Sequence, residues 1–405
     1  KPWVQRRVRQ YPRLCVFLAA RFGTGRFQGL TTTVLSILFL YIAAAYVDSV
    51  FDFLGSANVT STDTRVANIL YALRDPRLVA IFGWITDIGG RHGVISMLVG
   101  TSAALLVLRR FDLLGGLWIA AVWNQITVTL LKGFFNRPRS GLGYFVEISG
   151  SFPSGHAAGA VAVWSMMFYL AWRTRLLSSG TAATAAITAV FLIGLSRIYL
   201  IEHYVSDVLN GYLVGALWLI LGIAFCEWRR GVYRGAPTTV RSWAAFASVA
   251  VSAAIAIILA FTTVSPLNAR VNPSPQTIAQ PSTLLTTAAL PGMTETLAGD
   301  PRQRINLIVT AVDVTALMDA MQTGGWSEAP RPGPILLATA AFNEWTGRSL
   351  PNPLVIPTFW IDRPDALAFA LPTKSQSDDV RLHARFWDSN YRTGTGERVF
   401  VGTLT

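Results

Sequence analysis

Three polar stretches break the apolar first part of this chain. They are "KGFFNRPRS" (Lys132 to Ser140), "SFPSGH" (Ser151 to His156) and "SRIYLIEHYVSD" (Ser196 to Asp207). Lys132, Arg139 and Arg197 are cations, and arginine's planar fork in particular can meet two phosphate oxygens at once. Ser154 and Gly155 stand where an apolar run begins. Backbone N–H groups at a helix start have no partner in the helix and favour an anion. Three cations and a helix start describe a pocket for a phosphate. His203 and Asp207 are four residues apart, so on one helix they share a face. The carboxylate can hold one imidazole nitrogen and leave the other bare as a nucleophile. His156 is then the proton donor to the leaving oxygen. The cations neutralise the developing charge, so this chemistry requires no metal or other cofactor. Each feature has a plainer reading: Ser-Gly-His arises by chance, Lys132 and Arg197 suit an interfacial anchor, and Asp207 suits a helix cap.

The surrounding chain is built for lipid. It has 405 residues, 52% hydrophobic and only 14% charged, with a formal charge of +12. A soluble domain is about a quarter charged. Residues 1–263 hold 23 Lys and Arg against 10 Asp and Glu, while residues 264–405 hold 11 against 12. The arginines flank apolar runs, which points to a membrane surface and away from nucleic acid. Seven apolar runs approach the roughly 17–25 residues a span needs: Leu30–Val47, Gly93–Leu108, Leu113–Leu131, Ala157–Trp172, Ala182–Leu195, Val205–Phe225 and Trp243–Phe261. Lys1, Arg6, Arg7, Arg9, Arg13, Arg21 and Arg26 precede the first run with no acid among them, which predicts a cytoplasmic N-terminus. Alternation then brings all three polar stretches to the outer face. Cys15 and Cys226 fall on the inner side, where a disulfide is disfavoured.

The expected organisation is a basic N-terminal segment (1–29), a membrane core (30–226), a basic loop with a seventh span (227–263), a Pro-rich linker (264–300) and a soluble domain (301–405) facing outward. In that domain "INLIVTA", "DALAFALPT", "DVRLHARFW" and "ERVFVGTLT" read as strands, and "VTALMDAMQTGGW" as a helix stopped by Gly324 and Gly325. The fold class is thus a mostly α-helical membrane protein followed by a soluble α/β (α+β) domain. His383, Arg385 and Trp387 alternate along one strand, as a half-buried sheet requires.

Taken in order, the three polar stretches resemble the type 2 phosphatidic acid phosphatase superfamily, whose pattern is Lys-x6-Arg-Pro, Pro-Ser-Gly-His and Ser-Arg-x5-His-x3-Asp. Ser140 stands where the first part usually has proline. The resemblance covers roughly residues 30–226 and implies a six-helix core, to which this chain adds one further transmembrane helix. It implies His203 as a nucleophile that becomes phosphorylated, Asp207 as its orienting partner and His156 as acid, then base. It also implies phosphate contacts from Lys132, Arg139, Ser154, Gly155 and Arg197, no metal cofactor, and a lipid phosphate or diphosphate substrate at the outer face of a bacterial inner membrane. A polyprenyl (undecaprenyl) diphosphate carrier is the first expectation. Phosphatidic acid, phosphatidylglycerol phosphate and lipid A phosphate, or transfer to another lipid, are alternatives within the class. The stretches "RINLIVTAVDVTALMDAMQTGGW" and "FWIDRPDALAFALPT…RLHARFW" are similar to LssY-type C-terminal domains. The competing non-enzymatic expectation is an anchor that presents this domain.

Overall fold

The computed structural model describes residues 10–23, 27, 29–230, 239–262, 274–329, 333, 357–372 and 381–405. Lys1, Arg6, Arg7, Arg9, Arg26, Arg234 and Lys374 lie outside them. The chain divides into two compact units, one of residues 1–55, 80–139 and 145–267, the other of residues 56–79, 140–144 and 268–405.

The first unit is helical. After α1 (Pro12–Phe22) come α2 (Leu30–Gly55), α4 (Pro76–Gly89), α5 (Arg91–Val107) and α6 (Phe111–Phe135); α3 belongs to the second unit. The run α7 joins Gly155–Gly159, a π turn at Ala160–Trp164 and Ser165–Arg173; α8 (Ser179–Tyr199), α9 (Val205–Trp228) and α10 (Thr239–Thr262) follow. Every expected span coincides with a helix. Among the described residues, α2, α6, α8, α9 and α10 are long and apolar enough to cross a membrane, and α4 with α5, bent by 42° at their junction, make a sixth candidate. Helix α2 is apolar all round and buries none of its residues within the chain, as lipid contact demands. Helix α7, by contrast, is central. Ala162, Val163, Met166 and Leu170 pack with Leu113, Leu117 and Ala120 of α6 and Cys226 of α9. Glycine makes this closeness possible. A Cβ on Gly211 of α9 would lie 2.6 Å from the Ser154 carbonyl oxygen, and one on Gly215 would meet that of Ala158. The start of α7 therefore lies directly against the first turns of α9.

The second unit contains α3 (Ala57–Ala72) and two sheets. Strands β4 (Leu307–Ala311), β10 (Arg398–Leu404), β9 (Arg381–Arg392), β8 (Leu367–Pro372) and β5 (Ser327–Glu328) form one in that order, and β1 (Gln276–Thr277) joins β9 in parallel. The other runs β3 (Pro301–Arg304), β2 (Met293–Glu295), β6 (Phe359–Trp360), β7 (Arg363–Pro364). The expected strands and the helix α11 (Val314–Thr323) are present, and α11 is followed by Gly325 at φ +85°. Strand β9 is covered on both faces. Ala384 and Phe386 pack with Leu317 and Phe369, while Trp387 packs with Ile278, Leu284 and Trp360. Trp387 is thus core, as the half-buried reading of His383, Arg385 and Trp387 expects.

Two organisational expectations change. The stretch read as a linker is folded from residue 274 onward, because Ile278 and Leu284 are apolar enough to enter the core beneath β9. Helix α3, in the expected outward-facing segment 48–77 that the division 30–226 encloses, belongs with the second unit. Its buried Arg65 pairs with Glu295 and, at 3.1 Å, with Asp362, and Asn68 donates to the Asp362 carbonyl at 2.9 Å. Gly299, at φ +99°, lets the backbone pass close to the Arg65 guanidinium.

Candidate active site

The three polar stretches meet at one place, and Asp207 joins them. It sits at the third position of α9, where its Oδ2 accepts the Tyr204 N–H at 2.9 Å and caps the helix. Its Oδ1 accepts from Arg137 Nη1 at 2.7 Å, an ion pair closed to solvent. Its backbone carbonyl accepts from Ser154 N at 2.9 Å, which fixes the start of α7. The cap reading and the charge-partner reading of Asp207 are therefore both realised.

His203 does not lie on α9. Tyr204 is extended, with φ −72° and ψ 163°, and the helix starts at Val205. The helical-face argument for His203 and Asp207 fails, yet the turn brings them together: His203 Nδ1 is 3.6 Å from Asp207 Oδ2. That is beyond hydrogen-bond length but within ionic reach. The opposite nitrogen, Nε2, lies 3.5 Å from Arg139 Nη1. The ring thus has one edge toward a carboxylate and the other toward cations.

The cations are held by oxygens on every side. Arg139 donates through Nε to the Ser149 carbonyl at 2.8 Å and through Nη1 to the Glu202 carbonyl at 2.5 Å. Arg197 is buried, donates to Thr86 Oγ1 at 2.8 Å and lies 3.4 Å from Glu147 and 3.8 Å from Glu202. Lys132, in the last turn of α6, donates to the Gly150 carbonyl. Ser154 is the N-cap of α7; its Oγ accepts the Ala157 N–H at 3.4 Å, and its own proton is left to donate. Gly155 opens the helix, and a Cβ there would meet Val128 at 3.5 Å, an ordinary contact. His156 follows with its Nε2 beside Gly90 at the α4–α5 junction, near enough to His203 for their charges to interact. Ser196 turns inward and donates to the Ile193 carbonyl of its own helix at 2.6 Å.

Burial, then the charges of Arg197, Arg139 and Lys132, hold the His203 imidazole well below the usual histidine range. It is neutral near pH 7, the form a nucleophile needs. Burial pushes the Glu202 carboxyl up against the pull of Arg197. Ser140 opens a small turn in which its Oγ accepts the Leu142 N–H at 3.2 Å and its carbonyl accepts from Gly143 at 3.3 Å. The serine thus gives the loop a side-chain acceptor that proline lacks.

Sequence reasoning missed Arg137, Glu147, Glu202 and Thr86 as parts of this site. Arg137 was passed over because it sits between the two spaced cations. Its burial between the rings of Phe53 and Tyr204, at 4.8 and 4.2 Å, has no sequence signature.

Two histidines beside Lys132, Arg139 and Arg197, set among helices that can cross a membrane, make up a candidate phosphoryl-transfer site of a membrane protein. The comparisons give that class a family. The profile of the PAP2 superfamily matches residues 113–231, and that of the LssY C-terminus matches residues 287–405. Phosphatidylglycerophosphatase B of Bacillus subtilis (strain 168) is 30% identical over 200 residues, covering 48% of this chain and 93% of that protein. The crystal structure of a transmembrane PAP2 type phosphatidylglycerolphosphate phosphatase from Bacillus subtilis is 28% identical over 50% of this chain and 98% of that one, with a TM-score of 0.42. That of Aquifex aeolicus LpxE is 26% identical over 39% and 92%, with a TM-score of 0.30. The chain belongs to the PAP2 superfamily and carries an LssY C-terminal region. It is a membrane lipid phosphatase.

If Arg137 positions Asp207, Arg137→Ala will lower kcat by about 10²-fold, as misplacing a catalytic group does. KM will change by less than about threefold, because Arg137 pairs with Asp207. Arg137→Lys will recover part of kcat. Steady-state kinetics on a short-chain lipid phosphate measures the split.

Proposed function

We propose that the chain removes the terminal phosphate monoester of a membrane glycerolipid, with phosphatidylglycerol phosphate as the leading substrate, by transfer through His203. The observation that carries this reading is the ring's orientation, with Nδ1 toward Asp207 and Nε2 toward Arg139. Nε2 attacks phosphorus. The P–N bond forms as the P–O ester bond breaks, and His156 gives its proton to the departing alkoxide. Asp207 stabilises the positive charge that develops on the His203 ring. Water then attacks the phosphohistidine while His156 takes its proton, the P–N bond breaks, and inorganic phosphate leaves. Lys132, Arg139 and Arg197 hold the non-bridging oxygens, with the Ser154 hydroxyl and the free N–H groups at the start of α7.

The glycerolipid monoester now stands ahead of the polyprenyl diphosphate, for two reasons. The Bacillus relative is a phosphatidylglycerophosphatase. Arg139 and Arg197 also face Glu147 and Glu202, so of these five groups Lys132 is left as the net positive charge for the substrate. That suits one phosphoryl group better than two. The positive residues before α2 support an inward N-terminus, and an outward, periplasmic-side active site and C-terminal region in a bacterial inner membrane follow from it.

The test is phosphate release by the purified full chain from a panel containing phosphatidylglycerol phosphate, phosphatidic acid and a polyprenyl diphosphate, all with EDTA. The expected result is turnover of phosphatidylglycerol phosphate at least tenfold above the diphosphate, unchanged by EDTA. Turnover that needs added Mg²⁺, or a preference for the diphosphate, contradicts the proposal.

The acid side of kcat/KM reports the free-enzyme nucleophile, which works only when unprotonated. Because His203 is held below the ordinary value near 6.5, activity should persist below pH 6.5 and fall only as pH drops through the depressed value. Removing a neighbouring cation relaxes the depression. Arg139→Gln should therefore move this limb to higher pH, besides weakening binding; a pH–rate series on both proteins checks it.

A further inference from the structure

A second cavity lies at the other end of the helical unit. From Gly155 to Arg173, α7 spans about 27 Å, and its far end helps enclose a space of about 910 Å³ between α5, α7 and α10. Its wall is apolar, with Met97 and Leu105 of α5, Met167 and Phe168 of α7, and Phe246 and Val249 of α10. Its rim carries Arg110, Arg173, Arg175 and Arg230.

Span-end arginines are commonly interfacial anchors, and two observations go beyond that. The first is charge. Arg110 is paired with Asp112 at 2.8 Å, and Arg173 and Arg230 both reach Glu227 at 3.2 Å. Tyr169 also donates to Glu227, at 2.7 Å. Arg175 has no ionic partner among the described residues, and Arg173 and Arg230 share one carboxylate, so among the described residues the rim is net positive. The second is a buried donor. Trp164 lines the cavity, and its indole N–H is closed to solvent with no acceptor among the described residues. Such a donor leaves a penalty that an acceptor from an occupant removes once the indole turns toward the space it lines.

We propose that this cavity binds one anionic glycerophospholipid of the leaflet opposite the active site. The phosphate meets the arginine rim, a chain lies along the apolar wall, and an acyl ester carbonyl accepts from Trp164. Its volume is in the range of small-molecule sites. The site is separate from the catalytic cradle and does not depend on which lipid is hydrolysed.

Native mass spectrometry of the detergent-purified full chain tests it. The probes are phosphatidylglycerol, a phosphodiester with no terminal phosphate to remove, and phosphatidylcholine with the same chains. The wild type should retain one phosphatidylglycerol and at least tenfold less phosphatidylcholine. Arg173→Ala with Arg175→Ala should cut that retention at least tenfold, and Trp164→Phe, which keeps the ring and loses the donor, several-fold. Both variants should keep phosphate release from a short-chain lipid phosphate. Arg139→Ala with Arg197→Ala should retain the lipid as wild type does. Equal retention of the two lipids, or loss in the Arg139/Arg197 variant instead, would overturn the proposal. Displacement by millimolar inorganic phosphate would mark a plain anion site and overturn it too. If the rim variant does not fold, unchanged retention in Trp164→Phe suffices to reject the site.

Discussion

The catalytic arrangement hangs on a single buried carboxylate. Asp207 caps α9 through Tyr204, pairs with Arg137 from the loop after α6, receives Ser154 at the start of α7 and stands 3.6 Å behind His203. Each of the three polar stretches is tied to it by one bond or close approach. A buried ion pair is costly to break, by about 3–5 kcal/mol when one partner is removed, because the other charge is left in a low-dielectric surrounding. The arrangement therefore ties local fold and chemistry together: what holds the loop down also sets the electrostatics of the nucleophile.

Around this junction the site solves a charge problem. Three cations gathered this closely repel one another, and Glu147, Glu202 and the carbonyls of Ser149, Gly150 and Glu202 offset this as ionic or hydrogen-bond partners. The same cations, added to burial, keep His203 neutral. In the proposed reaction, binding and nucleophile activation thus draw on one set of charges. The glycines of α9 let the start of α7 approach to backbone contact.

Much of this was legible in the residues. Spacing between Lys132 and Arg139, the Ser154–His156 stretch and the Arg197–Asp207 stretch indicated an anion site, because polar groups inside an apolar chain are informative. The helices were legible from unbroken apolar runs, and β4, β8, β9 and β10 from alternation. What stayed hidden depended on tertiary partners. Arg137 gives no local signal that it faces Asp207. The extended Tyr204 breaks the expected helical register of His203, and nothing in "EHYV" marks that break. Residues 274–300 read as linker in the sequence because prolines and threonines mask two buried apolar side chains, Ile278 and Leu284. Arg65 of α3 reaches its partners more than 200 residues away, beyond any pattern reading.

The central claim is that His203 carries the phosphoryl group on Nε2. It is tested most directly by trapping the intermediate: radiolabelled substrate, rapid quench, and separation of acid-labile, base-stable label bound to protein. The account predicts label on the wild type confined to the peptide containing His203, none on His203→Ala, and accumulated label on His156→Ala with a nitrophenyl phosphate, whose leaving group needs little protonation. Label on another residue, or turnover without any label on His203, would contradict it.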